Sequence, residues 1–280
     1  MSQHPTRRSF LTLTSLAIPA ALAKLHAQAT PINAPTGGNP EPKPWTQVPV
    51  SFPAHPPELV REMVMVSHFN LNRVKELVTA RPALARAAWD WGFGDWETAL
   101  GAASHMGNRA IAEYLIANGA RPSLFSATML GQLEVVKAFV AAQSGVQRIA
   151  GPHSISLLAH AKAGGDAARP VFDFLKTLGD ADQPPEAPLS AEERTGILGT
   201  YVFGSGPTDR IDVTVERGYL TWTRKGTMGR WLFHLGDLVF YPSGASSVRI
   251  AFEPKDGAKM MKVSDSDLAL VVKRQESRGA

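Results

Sequence analysis

Residues 98–120, TALGAASHMGNRAIAEYLIANGA, decide the reading of the first half of the chain. Small and apolar residues run from Thr98 to Met106 and stop at Gly107, as in a short buried helix. From Asn108 to Asn118 the apolar positions return every three or four residues, which predicts an amphipathic second helix. Asn118-Gly119-Ala120 then stops it, because glycine takes the left-handed conformation at a helix end at no steric cost. One hydrophobic face on each of two short, glycine-separated helices cannot be buried alone, so this unit needs neighbours of its own kind.

Such neighbours are present. The stretch ending Ser126-Ala127-Thr128-Met129-Leu130-Gly131 precedes a helical pattern at Gln132 to Ala142, and Ser156 to Gly165 precedes one at Ala168 to Leu178. Leu71 to Thr79, LNRVKELVT, reads as a further second helix. This pattern resembles the ankyrin repeat: TALGAASHMG approximates the family's Thr-Pro-Leu-His-x-Ala-x-x-x-Gly, and QLEVVKAFV its second helix. The family's histidine is Gly101 in one copy and Ala159 in another, and its proline is absent throughout. The resemblance implies a stack of about four repeats over residues 58–180 whose concave face binds a protein or peptide.

Beyond Pro184, Pro185 and Pro188 the periodicity changes to two. Ile211-Asp212-Val213-Thr214-Val215 alternates, Arg217-Gly218 turns the chain, and Tyr219 to Thr223 returns. Strands are expected at Trp231–Leu235, Leu238–Tyr241, Val248–Phe252, Met260–Val263 and Leu268–Lys273, with turns at Gly236-Asp237 and Asp256-Gly257. Closely spaced short strands imply a small antiparallel barrel or strongly curved sheet. This half resembles the lipocalin-like domain carried at the C-terminus of β-lactamase-related hydrolases, through Leu198-Gly199-x-Tyr201, Gly218-x-Leu220, Leu232-x-x-Leu235, Val248-x-Ile250-x-Phe252 and Lys273-Arg274. In that family the domain is an accessory rather than the catalytic unit. The fold class expected is thus α+β and multidomain, a helical ankyrin-type stack at 58–180, a linker at 181–191, an antiparallel β-domain at 192–275 and a tail at 276–280.

The N-terminus carries an address. Thr6-Arg7-Arg8-Ser9-Phe10-Leu11 resembles the twin-arginine export motif, followed by an apolar run to Leu22 and the small-residue site Ala27-Gln28-Ala29. Residues 1–29 are therefore expected to be a signal peptide, and the mature protein periplasmic or secreted without a stable membrane anchor. Residues 30–57 hold nine of the 21 prolines and read as an extended linker. Loss of Arg7, Arg8 and Lys24 with the leader lowers the formal charge from +4 to +1, which removes any bulk attraction to nucleic acid. The chain has no cysteine, so disulfides, thiolate metal sites and a cysteine nucleophile are excluded.

Catalytic motifs are lacking: Gly204-Ser205-Gly206 has neither nucleophile-elbow nor phosphate-loop context and reads as a turn. Mature-chain histidines 55, 68, 105, 153, 160 and 234 form no His-x-His or His-x-x-x-His pair, so each is assigned to capping, packing or the surface, with no metal site and no cofactor expected. The unusual segment is AAWDWGFGDWE, residues 87–97, which places three of six tryptophans within Trp89 to Trp96. It fills the connection between a second helix and the next first helix, where the ankyrin resemblance implies a finger. Two outcomes are open: Trp89 and Trp96 fold back as a cap over the first repeat, or Trp91, Phe93 and Asp95 project near His105 as an aromatic pocket. The candidate binding set is Trp89, Trp91, Phe93, Asp95, Trp96, His105 and Met106, with Phe125 and Met129 from the next first helix. Asp90 and Asp95 suggest paired-carboxylate chemistry, but capping of the following helix by Asp95 or a neighbour is the simpler use. The leading expectation is an exported, non-catalytic protein- or peptide-binding scaffold. Its alternative is a small-molecule binder or enzyme using the finger or the β-domain interior, lined by Trp222, Phe233, Phe240 and Phe252.

Overall fold

The computed structural model describes residues 50–182, 186–253, 259–266 and 268–275. The export motif, most of the proline-rich segment, the Asp256-Gly257 turn and the 276–280 tail lie outside the described residues.

Among the described residues, eight α-helices form the first half: α1 Pro57–Val66, α2 Leu71–Ala80, α3 Ala99–His105, α4 Arg109–Ala117, α5 Leu124–Met129, α6 Leu133–Ala142, α7 Leu157–Ala163 and α8 Arg169–Leu178. They pair as α1/α2, α3/α4, α5/α6 and α7/α8, and α1, α3, α5 and α7 pack side by side in that order. Each of α3, α5 and α7 starts at a side-chain cap, with the hydroxyls of Thr98, Ser123 and Ser156 accepting from Gly101, Ser126 and Ala159 N–H. The capping neighbour expected near Asp95 is thus Thr98. Short α3 is buried at every residue from Ala99 to Ser104 because it is flanked on both sides. The layers approach closely: at Gly107, φ is +69° and a Cβ would lie 2.1 Å from the carbonyl oxygen of Ala163. Only glycine satisfies both conditions.

The second half is a closed antiparallel barrel of eight strands: β3 Gly199–Val202, β4 Arg210–Glu216, β5 Tyr219–Arg224, β6 Arg230–Gly236, β7 Val239–Pro242, β8 Arg249–Phe252, β9 Met260–Ser264 and β10 Ala269–Arg274. Consecutive strands are neighbours, and β10 closes onto β3. This is the up-and-down architecture shared with lipocalins. The turn at Arg217-Gly218 has φ of +52° and +90°, the primed geometry that matches strand twist. A short helix, α9 Ala191–Gly196, precedes the barrel behind a capping box of Ser190 and Glu193.

The barrel interior is filled. Tyr201, Trp222, Phe240, Ile250, Phe252 and Met261 meet in one buried cluster, so the expected ligand cavity is occupied by side chains. Phe233 is not among them: it is two-strand paired with Tyr241 and stacked on it at 5.0 Å, on the opposite face from inward Leu232 and Phe240. Between the halves lies the hairpin of β1 Ala88–Asp90 and β2 Trp96–Thr98, the finger of the sequence reading.

Candidate metal centre

The finger is short because Gly92 and Gly94 both take positive φ and flank Phe93, itself at φ +57°. Asp90 Oδ1 accepts the Gly92 N–H at 2.7 Å and fixes the bend, which is its structural use. On β2, alternation turns Trp96 outward, 65% exposed, and Glu97 inward, fully buried. A buried carboxylate is costly unless partners surround it.

Glu97 is surrounded by donors from three distant segments. His105 Nε2 lies 2.8 Å from Oε1, and Trp91 Nε1 donates to Oε2 at 2.8 Å. His68 Nε2 and His153 Nε2 each lie 3.5 Å from Oε2. One donor atom from each of His68, Glu97, His105 and His153 falls within 4.8 Å of every other. Tetrahedral coordination at about 2.05 Å needs donor separations of roughly 3.3 Å, and the contacts around Glu97, at 2.8–3.5 Å, have that span.

Ring orientation is fixed from behind. His68 Nδ1 sits 3.1 and 3.0 Å from the carbonyl oxygens of Val64 and Met65 at the end of α1; carbonyls only accept, so Nδ1 carries the proton. His153 Nδ1 sits 2.7 Å from Asp95 Oδ2, and its backbone N–H donates to Asp95 Oδ1 at 2.9 Å. In both rings Nε2 therefore faces the cluster, with a lone pair available once that nitrogen is deprotonated. A ring nitrogen held by a carbonyl or carboxylate while the other points inward is the outer-shell arrangement of metal-binding histidines.

His153 is also held in an uncommon backbone state. It and Ser154 have φ of +58° and +62°, and neither is glycine. Strain of this kind persists where surrounding contacts over-determine it and where function uses it. Asp95 grips His153 twice, and the Ser154 hydroxyl accepts the N–H of Gly244 at 2.7 Å.

Charge balance follows from these contacts. Burial pushes the Glu97 carboxyl up, but the hydrogen bonds from His105 and His153 and the charges of His153 and His68 outweigh it and bring it to about 2. Burial pushes His153 down, yet Asp95 and Glu97 raise it to about 9. Burial dominates at His68 and lowers it. Burial also raises Asp95, and the His153 hydrogen bonds and charge, then Arg230, bring it below its usual value. His160 sits against this cluster, fully buried, with Nδ1 donating to Ser156 O at 2.8 Å and Nε2 unpaired; burial lowers it to about 4.

The expected binding residues divide. Trp89 and Trp91 pack on the helical core, Trp91 under the Arg61 guanidinium at 5.7 Å. Phe93 leaves them for the barrel, joining its core cluster 5.8 Å from Trp222, so the finger aromatics do not enclose one pocket. Asp95 is 2% exposed and Met129 fully buried, which removes both as contacts for a partner; α3 is capped by Thr98 and not by Asp95. Phe125 packs 5.0 Å from the His160 ring. Trp96 and Met106, 54% exposed, face solvent, so Trp96 is no cap. Histidine spacing along the chain shows no sign of this cluster, because His68, His105 and His153 come from three different helical layers and meet only in the fold. Of the four cluster residues only His105 is in the sequence-derived candidate set; His68, Glu97 and His153 are not, and the one signal for Glu97 is an acidic residue beside a buried helix start.

Compared with known proteins, the chain matches no family model, no curated protein and no solved structure.

Proposed function

We propose that this protein binds a divalent transition-metal ion through His68, Glu97, His105 and His153. The observation that carries this reading is the convergence of three imidazoles, two with their Nδ1 protons fixed, on one fully buried carboxylate. Three nitrogens and one oxygen without thiolate suit zinc or a neighbouring first-row ion rather than calcium or magnesium, which take oxygen shells. Four protein donors make a closed set, the form of structural metal sites. The ion ties the end of α1, the finger, the end of α3 and the turn before α7, segments up to 85 residues apart in sequence (68 to 153). The protein is a metal-stabilised repeat scaffold, with its helical half read as ankyrin-type and its location as periplasmic or secreted. The paired-helix stacking supports the first reading, and the Arg7-Arg8 motif the second.

Zinc and cobalt(II) titrations of the purified chain test it. One equivalent binding with a tetrahedral cobalt spectrum is expected, and His105→Ala abolishes that spectrum. A chain that takes up neither ion at micromolar concentration ends the proposal.

A further inference from the structure

The helical stack and the barrel meet through the finger. Arg230, on the inward face of β6 and 3% exposed, donates to Asp95 Oδ2 at 3.0 Å and to Gly92 O at 2.9 Å, and its guanidinium lies 6.0 Å from the Phe93 ring. It also donates to Ser243 O within the barrel. Gly244 approaches Asp95 so closely that a Cβ there would lie 2.1 Å from the carboxyl carbon. The same Asp95 holds His153, and the same hairpin carries Glu97. An unbroken path therefore runs from the barrel through Arg230 and Asp95 to His153, and from the Phe93 tip along β2 to Glu97.

We infer that metal loading and barrel docking are one linked equilibrium, with Arg230 a positioning residue that acts on the metal through Asp95 and His153. The inference rests on the metal-binding reading above. Without the barrel, Asp95 loses its guanidinium partner and His153 its fixed orientation. Conversely, an ion gripping Glu97 and His153 stiffens the hairpin whose tip seats in the barrel. Linkage makes the effect reciprocal: whatever factor the docked barrel adds to metal affinity, metal adds to docking. Outer partners of metal-binding histidines are commonly worth 10–100-fold in affinity.

The absence of cysteine makes the test direct, because spin labels can be placed at Glu134→Cys on α6 and Glu216→Cys on β4, both exposed, in the full chain. With zinc the inter-label distance distribution is expected to be narrow, and after chelation broad. Arg230→Met is expected to weaken zinc binding about 10–100-fold and broaden the zinc-loaded distribution, with partial recovery in Arg230→Lys. Phe93→Ala removes no ligand and no partner of a ligand, and should weaken zinc binding several-fold by the same route. Zinc affinities within twofold of wild type in both Arg230→Met and Phe93→Ala, or a chelated distribution as narrow as the loaded one, would overturn the linkage while leaving the metal site standing. Failure of the wild-type chain to bind zinc removes both.

Discussion

Glu97 is the residue on which the site turns. It is buried, it contacts all three histidines, and Trp91 fixes its second oxygen. Glu97→Gln keeps the shape but loses the charge, and should lower zinc affinity by more than about 100-fold, beyond the 10–100-fold of an outer partner. Competition against a chromophoric chelator measures this; an affinity near wild type would make Glu97 a bystander. His153, raised to about 9 by its two carboxylates, carries a proton on Nε2 at neutral pH that an incoming ion must displace. Binding at pH 7 is therefore expected to release about one proton, read from calorimetry in buffers of different ionisation enthalpy. His160 titrates in the opposite sense. Its folded value of about 4 lies below the ordinary 6.5, so its contribution to stability is full above pH 6.5 and is lost as pH falls towards 4. The total is about 3 kcal/mol. His160→Leu should flatten that part of the acid unfolding profile; an unchanged difference between pH 7 and pH 4.5 would show the nitrogen is not desolvated.

At the scale of elements, the sequence pattern located the second helices to within about a residue: Leu71–Ala80, Arg109–Ala117, Leu133–Ala142 and Arg169–Leu178 all lie where amphipathic periodicity puts them. The strands β4 to β10 follow the alternation in the same way. Periodicity reports one buried face, so elements lacking it were missed: β3 offers four residues, β1 and β2 three each, and the six residues of α9 bury none. The repeat glycines carry their own prediction. Gly107→Ala meets both a left-handed φ and the Ala163 carbonyl 2.1 Å away, and should cost about 2–4 kcal/mol in chemical denaturation. A smaller loss, under about 1 kcal/mol, would mean that the layers separate easily.

For the whole molecule, the proposed site predicts a stability that depends on metal. An ion that binds only the folded chain stabilises it by RT ln(1 + [L]/Kd), about 4 kcal/mol at a thousandfold excess over Kd. Thermal unfolding of the full chain should therefore move up by several degrees with zinc and fall on chelation, and Glu97→Gln should remove the difference. Equal melting temperatures in zinc and in chelator would contradict a structural ion. Composition and local pattern by themselves determined a helical half, an antiparallel β half and a finger between two helices of the first, because each follows from contacts between near neighbours in sequence; closure of the barrel needed the distant pairing of β10 with β3. Only the tertiary structure decided that Phe93 and Asp95 belong to the barrel contact and that His68, Glu97, His105 and His153 share one site. Side chains drawn from separate helical layers are brought together by stacking and by a strained turn at His153, and neither leaves a spacing that a sequence can display.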